Sequence, residues 1–336
     1  MDPQILKNEI LSEIDNTLKE TVAVHLPADY PDFIEMITYH MGWTGYGAGS
    51  QAQGKRIRPL LLLLITGACG GNWHTALPAA AAVEILHNYT LIHDDIQDQS
   101  ATRHGRPTLW KQYGIPQAIN TGDALFSLAE LTLANLEKSY SLKQTHQAAK
   151  LLNKASLRLT HGQYLDIAFE SENNITLDAY MEMIKHKTAA LISACTEIGA
   201  VLGSNDSKTR RHAVDFGENL GLAFQILDDY LGIWGNPDKI GKSVENDLVS
   251  RKKSLPILYG LMKKGEFFDC WSKGAINEVE NYSRILIKEG AQDYTRQMAD
   301  DFTKRALDAL GLLTTNKNKF VAELEDLTNK LLTRDK

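Results

Sequence analysis

AAAAVEILHNYTLIHDDIQD, running from Ala79 to Asp98, is too apolar in its first half for a solvated helix and too acidic at its end for a core. Its apolar residues recur at three- and four-residue spacing, which predicts a helix from Leu77 to Asp98. On that helix Asp94 and Asp98 stand one turn apart on one face, and Asp95 lies about 100° round from Asp94. An acidic run is usually a solvated face. Here it ends a helix too apolar for that role, so the carboxylates are expected to point into a cavity or cleft wall. Buried, uncompensated acids are costly, and a hard divalent cation is the usual remedy.

The same period runs outward through Gln117 to Leu136, Thr176 to Leu202 and Lys208 to Trp234, and no segment alternates as a strand would. Gly and Pro fall between these runs, and Gly42 to Gly54 and Asn236 to Ser250 read as loops. No repeat or low-complexity linker interrupts the pattern, so an all-α bundle forming a single domain over residues 1–336 is expected. The 336 residues, 43% hydrophobic, suffice for a large core. A net charge of -6 argues against nucleic acid as a partner. Cys69, Cys195 and Cys270 are far apart, odd in number and form no CxxC pair, so neither a disulfide framework nor a thiolate zinc site is suggested, and a reducing cytoplasm fits best. The most apolar run, PLLLLLITGACGG from Pro59, is shorter than the roughly 18 residues of a transmembrane span. MDPQILKNEILSEIDNTLKE lacks the form of a signal peptide.

A second acidic pair, Asp228 and Asp229, ends the apolar run GLAFQIL, with Gln225 one turn before it. Two such helices facing each other could hold Mg²⁺, whose usual ligands are one or two carboxylates, waters and phosphate oxygens. Cations recur beside them. GKRIRP places Lys55 and Arg58 at the start of the leucine-rich helix, where an anion is favoured, and Arg103, Arg106, Lys187, Lys242 and Lys252 occupy short polar islands. The acids are expected to hold metal, and the basic residues to meet the phosphate that the metal leaves unneutralised.

From Gly54 to Pro256 the chain carries, in order, GKRIRP, DDIQD, RHGRPT, GDALF, HGQYLD, KHKT, FQILDD, GKSVENDL and RKKSLP. This series resembles the trans-type polyprenyl diphosphate synthases of the class I isoprenoid synthase fold. The resemblance implies an all-α bundle with a central active-site cavity, commonly a homodimer. It also implies a reaction in which an allylic diphosphate (dimethylallyl, geranyl or farnesyl) is ionised with Mg²⁺, in several ions and with Mn²⁺ as a substitute, and joined to isopentenyl diphosphate. By resemblance, Asp94, Asp98 and Asp228 are metal ligands, with Asp95 in support. Arg103, Lys187 and Lys252 clamp the allylic diphosphate, and Lys242 belongs to the same basic set. Lys55, Arg58 and His87 hold isopentenyl diphosphate, and Thr188 and Gln225 direct oxygens toward the developing cation. The departing diphosphate accepts the final proton, so no protein base is required.

Two positions depart from the family pattern. His104 stands where a second arginine is usual and contributes to isopentenyl diphosphate binding, with Arg106 as the expected compensating cation. Gly232 stands where a third aspartate would follow Asp228. Tyr89, five residues before Asp94, occupies the family's floor position with small Thr90 beside it, which implies geranylgeranyl diphosphate first and farnesyl diphosphate second as product. The alternatives are a class I terpene synthase acting without condensation, to which His104 and Gly232 lean, and a non-catalytic partner subunit, against which the intact Asp94, Asp95 and Asp98 argue.

Overall fold

The computed structural model describes residues 3–26, 28–172, 174–235, 246–249, 251–273, 279–313 and 318–332. They are helical almost throughout. The chain begins with α1 (Pro3–His25), α2 (Pro31–His40), α3 (Ile57–Ala68), α4 (Leu77–Gln97) and α5 (Ile115–Ala134). The long α6 (Leu142–Ser171) follows, then α7 (Leu177–Ile184), α8 (Ala190–Gly203) and α9 (Ser207–Trp234). After it come α10 (Leu255–Lys263), α11 (Glu266–Lys273), α12 (Val279–Lys288), α13 (Ala291–Leu313) and α14 (Lys319–Leu332). The all-α expectation holds, and α4, α5 and α9 start within two residues of the periodic segments read at Leu77, Gln117 and Lys208.

Two details correct the sequence reading. Thr102–Arg103 pairs antiparallel with Arg106–Pro107, where no strand was expected. A ladder this short shows no two-residue period, but its turn is legible afterwards. His104 and Gly105 have φ of 51° and 73°, the left-handed pair that a tight hairpin needs. The segment expected as one helix from Thr176 to Leu202 is interrupted at Lys185–Ala189, which winds as a π-helix. Such a turn preserves the apolar periodicity on either side, and it often marks a functional site.

The described residues gather into two compact units. The first comprises Met1–Ser156, Ala194–Arg210 and Thr314–Leu324. Its central element is α4, which packs along α5 and against α1 and α3. Every residue from Ala79 to Leu86 is buried, Glu84 included, so this stretch of α4 is enclosed by its neighbours. The alanine run gives α4 little side-chain girth on that stretch, so its partners approach closely.

The second unit comprises Leu157–Ser193, Arg211–Leu313 and Glu325–Lys336. One of its cores gathers Tyr180, Met183, Ile184, Leu222, Ile226 and Leu258. Another gathers Ile233, Phe267, Trp271, Tyr282 and Leu286. Among the described residues, no helix is long and apolar enough to cross a membrane.

Candidate active site

The three acids at the end of α4 divide their work. Asp95 is 2% exposed and accepts Arg103 Nε at 3.0 and 3.1 Å and Nη2 at 2.8 Å. Burial pushes its carboxyl above the ordinary carboxylate range, against the opposing pull of Arg103. Asp94 is half-buried and Asp98 exposed, and the Asp98 N–H donates to the Asp94 carbonyl at 2.8 Å, so both lie on the last turn. Arg103 thus anchors the inward acid, while the outward pair presents hard oxygens one turn apart. Among the described residues no group of three His, Cys, Asp or Glu side chains could hold a metal by itself. Two carboxylates one turn apart are a donor set suited to a hard divalent cation, which completes its shell with water and phosphate oxygens.

Arg106 does not compensate for His104. It is 5% exposed, donates to the carbonyls of Tyr46, Tyr39 and Thr44 at 2.8, 3.0 and 2.8 Å, and lies 4.2 Å over the Tyr39 ring. Every guanidinium nitrogen is committed to shaping the turn after α2. His104 is exposed at the hairpin apex. Behind it, a cavity of about 30 Å³ is bordered by His40, Asp95, Arg103, His104 and Arg106. His40 Nε2 is buried there without a hydrogen-bond partner among the described residues, and burial, reinforced by Arg103, Arg106 and Arg56, lowers its pKa to about 3.

In GKRIRP the first arginine, Arg56, is structural, which spacing alone did not reveal. Arg56 is 5% exposed with a left-handed φ of 48°. Its Nε meets Asp15 at 3.2 Å and its Nη1 meets buried Glu84 at 2.7 Å, tying the start of α3 to α1 and α4. The signal that could have found it was Glu84 itself, an acid in the midst of a buried run, which requires a cation. Lys55 is exposed beside this anchor. Arg58 Nη1 lies 3.0 Å from His87 Nε2, so His87 accepts this bond as a neutral ring. Burial, then Arg58, Arg103 and Arg56, drives the His87 pKa well below 6.5.

Tyr89 is half-buried, its ring centre 4.7 Å from that of His93 and 5.4 Å from that of Phe126. His93 fits against Gly122, where a Cβ would fall 2.3 Å from Nε2. The glycine of GDALF thereby makes room for the imidazole, whose Nε2 lies 3.7 Å from Asp123. Thr90 Oγ1 donates to the His87 carbonyl at 2.7 Å.

The second unit repeats the inward and outward split. Asp229 is 3% exposed and receives the Tyr180 hydroxyl, the Leu255 N–H at 2.9 Å and Gln225 Nε2 at 3.0 Å. Asp228, its neighbour, is exposed. Thr188 Oγ1 donates to Gln225 Oε1 at 2.6 Å, so Thr188, Gln225 and Asp229 form one chain of bonds. Lys187 Nζ lies 2.5 Å from Asp166 Oδ2, so the aspartate of HGQYLD braces Lys187. Gly162 lets the π-turn approach α6, since a Cβ there would sit 2.2 Å from the Lys187 nitrogen. A cavity of about 30 Å³ is bordered by Asp166, Lys187, Thr188, Gln225, Lys252 and Ser254. Lys242 lies outside the described residues.

Residues 46–286 match the sequence model of polyprenyl synthetases. A (2E,6E)-farnesyl diphosphate synthase of Mycobacterium bovis is 39% identical over 238 residues, 70% of this chain and 65% of that protein. The chain thus spans slightly less than two thirds of that relative's length. A geranylgeranyl diphosphate synthase of Sulfolobus acidocaldarius is 34% identical over 325 residues, 93% of this chain and 96% of its own. A geranylgeranyl pyrophosphate synthetase of Pyrococcus horikoshii has a similar structure, with a TM-score of 0.90 at 31% identity over 99% of each chain. The matched span holds every motif from GKRIRP to RKKSLP, and the chain belongs to the polyprenyl synthetase family.

Proposed function

We propose that the chain is a short-chain trans-prenyltransferase that condenses isopentenyl diphosphate with an allylic diphosphate to give geranylgeranyl diphosphate, with farnesyl diphosphate as the second choice of product. The observation that carries this reading is the doubled arrangement of a locked inward acid, Asp95 or Asp229, beside outward carboxylates and cations. Mg²⁺ held by Asp94, Asp98 and Asp228 would supply the Lewis acidity that stabilises the departing diphosphate. Arg103, Lys187 and Lys252 serve the allylic diphosphate in this reading, and the anchoring of Arg103 on Asp95 in the first unit and of Lys187 on Asp166 in the second restrains each cation within its own unit.

Thr188 and Gln225 hold their oxygens in a fixed orientation, which suits stabilisation of an allylic cation. Lys55, Arg58 and His87 bind isopentenyl diphosphate, with His104 at its edge. Tyr89 and Thr90 limit the growing chain. The relatives, named as diphosphate synthases, support condensation over cyclisation or a partner role.

The test incubates the protein and Mg²⁺ with dimethylallyl, geranyl or farnesyl diphosphate, each with and without isopentenyl diphosphate, followed by mass spectrometry of products. Geranylgeranyl diphosphate formed only when isopentenyl diphosphate is present is the expected result. A hydrocarbon or alcohol formed from a prenyl diphosphate alone would sink the reading.

A further inference from the structure

RKKSLP carries two cations besides Lys252, and both are committed to protein groups. Arg251 has a left-handed φ of 55°, donates from Nη2 to the Trp271 carbonyl at 2.9 Å and lies 4.3 Å over the Trp271 ring. Lys253 Nζ donates to the carbonyls of Phe169 at 2.6 Å, Glu170 at 3.3 Å and Glu172. These are the open carbonyls at the end of α6, where a cation is favoured. The Ser254 N–H donates to the Lys252 carbonyl at 3.0 Å, closing a tight turn about Lys253, and the Leu255 N–H is held by Asp229 at 2.9 Å. Residues 251, 253 and 255 are thereby tied to α11, α6 and α9. Lys252 stands between two tied neighbours and borders the cavity of Asp166, Lys187, Thr188 and Gln225.

We propose that Arg251 and Lys253 are positioning residues for Lys252. The Arg251–Trp271 stack and the grip of Lys253 on the α6 terminus fix the Lys252 backbone, so that its ammonium is presented to the diphosphate of the allylic substrate. A lysine side chain is flexible and its ammonium is a point charge, so the backbone must supply the placement that the side chain lacks. The inference rests on the reading of Lys252 as a diphosphate ligand. Neither Arg251 nor Lys253 touches substrate in this account.

The test is steady-state kinetics on the full chain with Mg²⁺, comparing Arg251→Gln, Arg251→Lys, Lys253→Gln and Lys252→Ala, singly and combined. Arg251→Gln and Lys253→Gln are each expected to raise KM for the allylic diphosphate about tenfold with KM for isopentenyl diphosphate unchanged. Arg251→Lys retains a cation over Trp271 and recovers part of the loss. Added to Lys252→Ala, either substitution has no further effect on the allylic KM, because both act through the ammonium already removed. If Lys252→Ala raises that KM and the neighbouring substitutions do not, or if they add to it in full, the positioning role is overturned while the diphosphate reading stands. If Lys252→Ala leaves the allylic KM unchanged, the diphosphate reading fails and takes the inference with it. Should Arg251→Gln lower the melting temperature, Lys253→Gln, whose partners lie at a helix end, makes the same comparison.

Discussion

Asp95 and Asp229 show what one residue's burial does to its neighbours' chemistry. Each is locked by donors, and each stands beside a carboxylate that faces outward. The acid clusters were legible in the sequence because apolar runs end on them. Which member turns inward was not, since Arg103 reaches Asp95 through a hairpin only two residues wide and Tyr180 reaches Asp229 from another helix. At the floor position, Tyr89→Ala is expected to shift the product to longer chains, read by mass spectrometry; an unchanged product would place the floor elsewhere. His104 sits at the hairpin apex with a φ of 51°, a strain its replacement by arginine shares. With Arg106 fully committed to carbonyls and Arg103 paired with Asp95, His104→Arg adds a further permanent cation at the hairpin apex. The variant should lower KM for isopentenyl diphosphate severalfold and leave the allylic KM unmoved. An unchanged or higher KM would show that this position does not meet that substrate.

Among the elements, the π-turn at Lys185–Ala189 is the feature that hydrophobic periodicity could not show, because an extra residue in one turn leaves the apolar stripes on both sides intact. KHKT marked this stretch as a motif through resemblance, but neither the motif nor the periodicity announced the turn. Gly162 is its physical complement on α6. In Gly162→Ala the new Cβ would meet backbone atoms of Lys187, which cannot step aside as a flexible side chain can. The substitution should destabilise the protein by about 1–3 kcal/mol and, by displacing Lys187 and Thr188, lower kcat more than the stability loss explains. Thermal melts and kinetics at a temperature where the variant stays folded separate the two effects. Arg56 gives the corresponding lesson for α3. Its partners Asp15 and Glu84 lie on two other helices, so no local window contains the triad. The family match begins at residue 46, yet Asp15 on α1 takes part in holding GKRIRP.

For the whole molecule, the all-α class followed from periodicity alone, while the function needed the ordered motifs. Acid should destabilise this protein earlier than its carboxylates imply. His40 and His87 both have folded pKa values below the unfolded 6.5, so the native state binds fewer protons than the unfolded chain. Their contribution to stability is complete above pH 6.5 and is lost as pH falls toward the His40 value of about 3. Melting temperature should therefore decline from pH 6.5 downward, and His40→Leu should flatten that decline; an equal slope in the variant would remove His40 from the account.

The division between anchoring and metal-facing acids is the claim on which the rest depends, and the Mg²⁺ dependence of prenyl transfer in Asp98→Asn and Asp95→Asn, with melting temperatures of both, tests it most directly. Asp98→Asn is expected to raise the Mg²⁺ concentration for half-maximal rate by about tenfold or more at an unchanged melting temperature, while Asp95→Asn lowers the melting temperature by several degrees. An Asp98→Asn protein with unaltered Mg²⁺ dependence, or an Asp95→Asn protein as stable as the parent, would contradict that division.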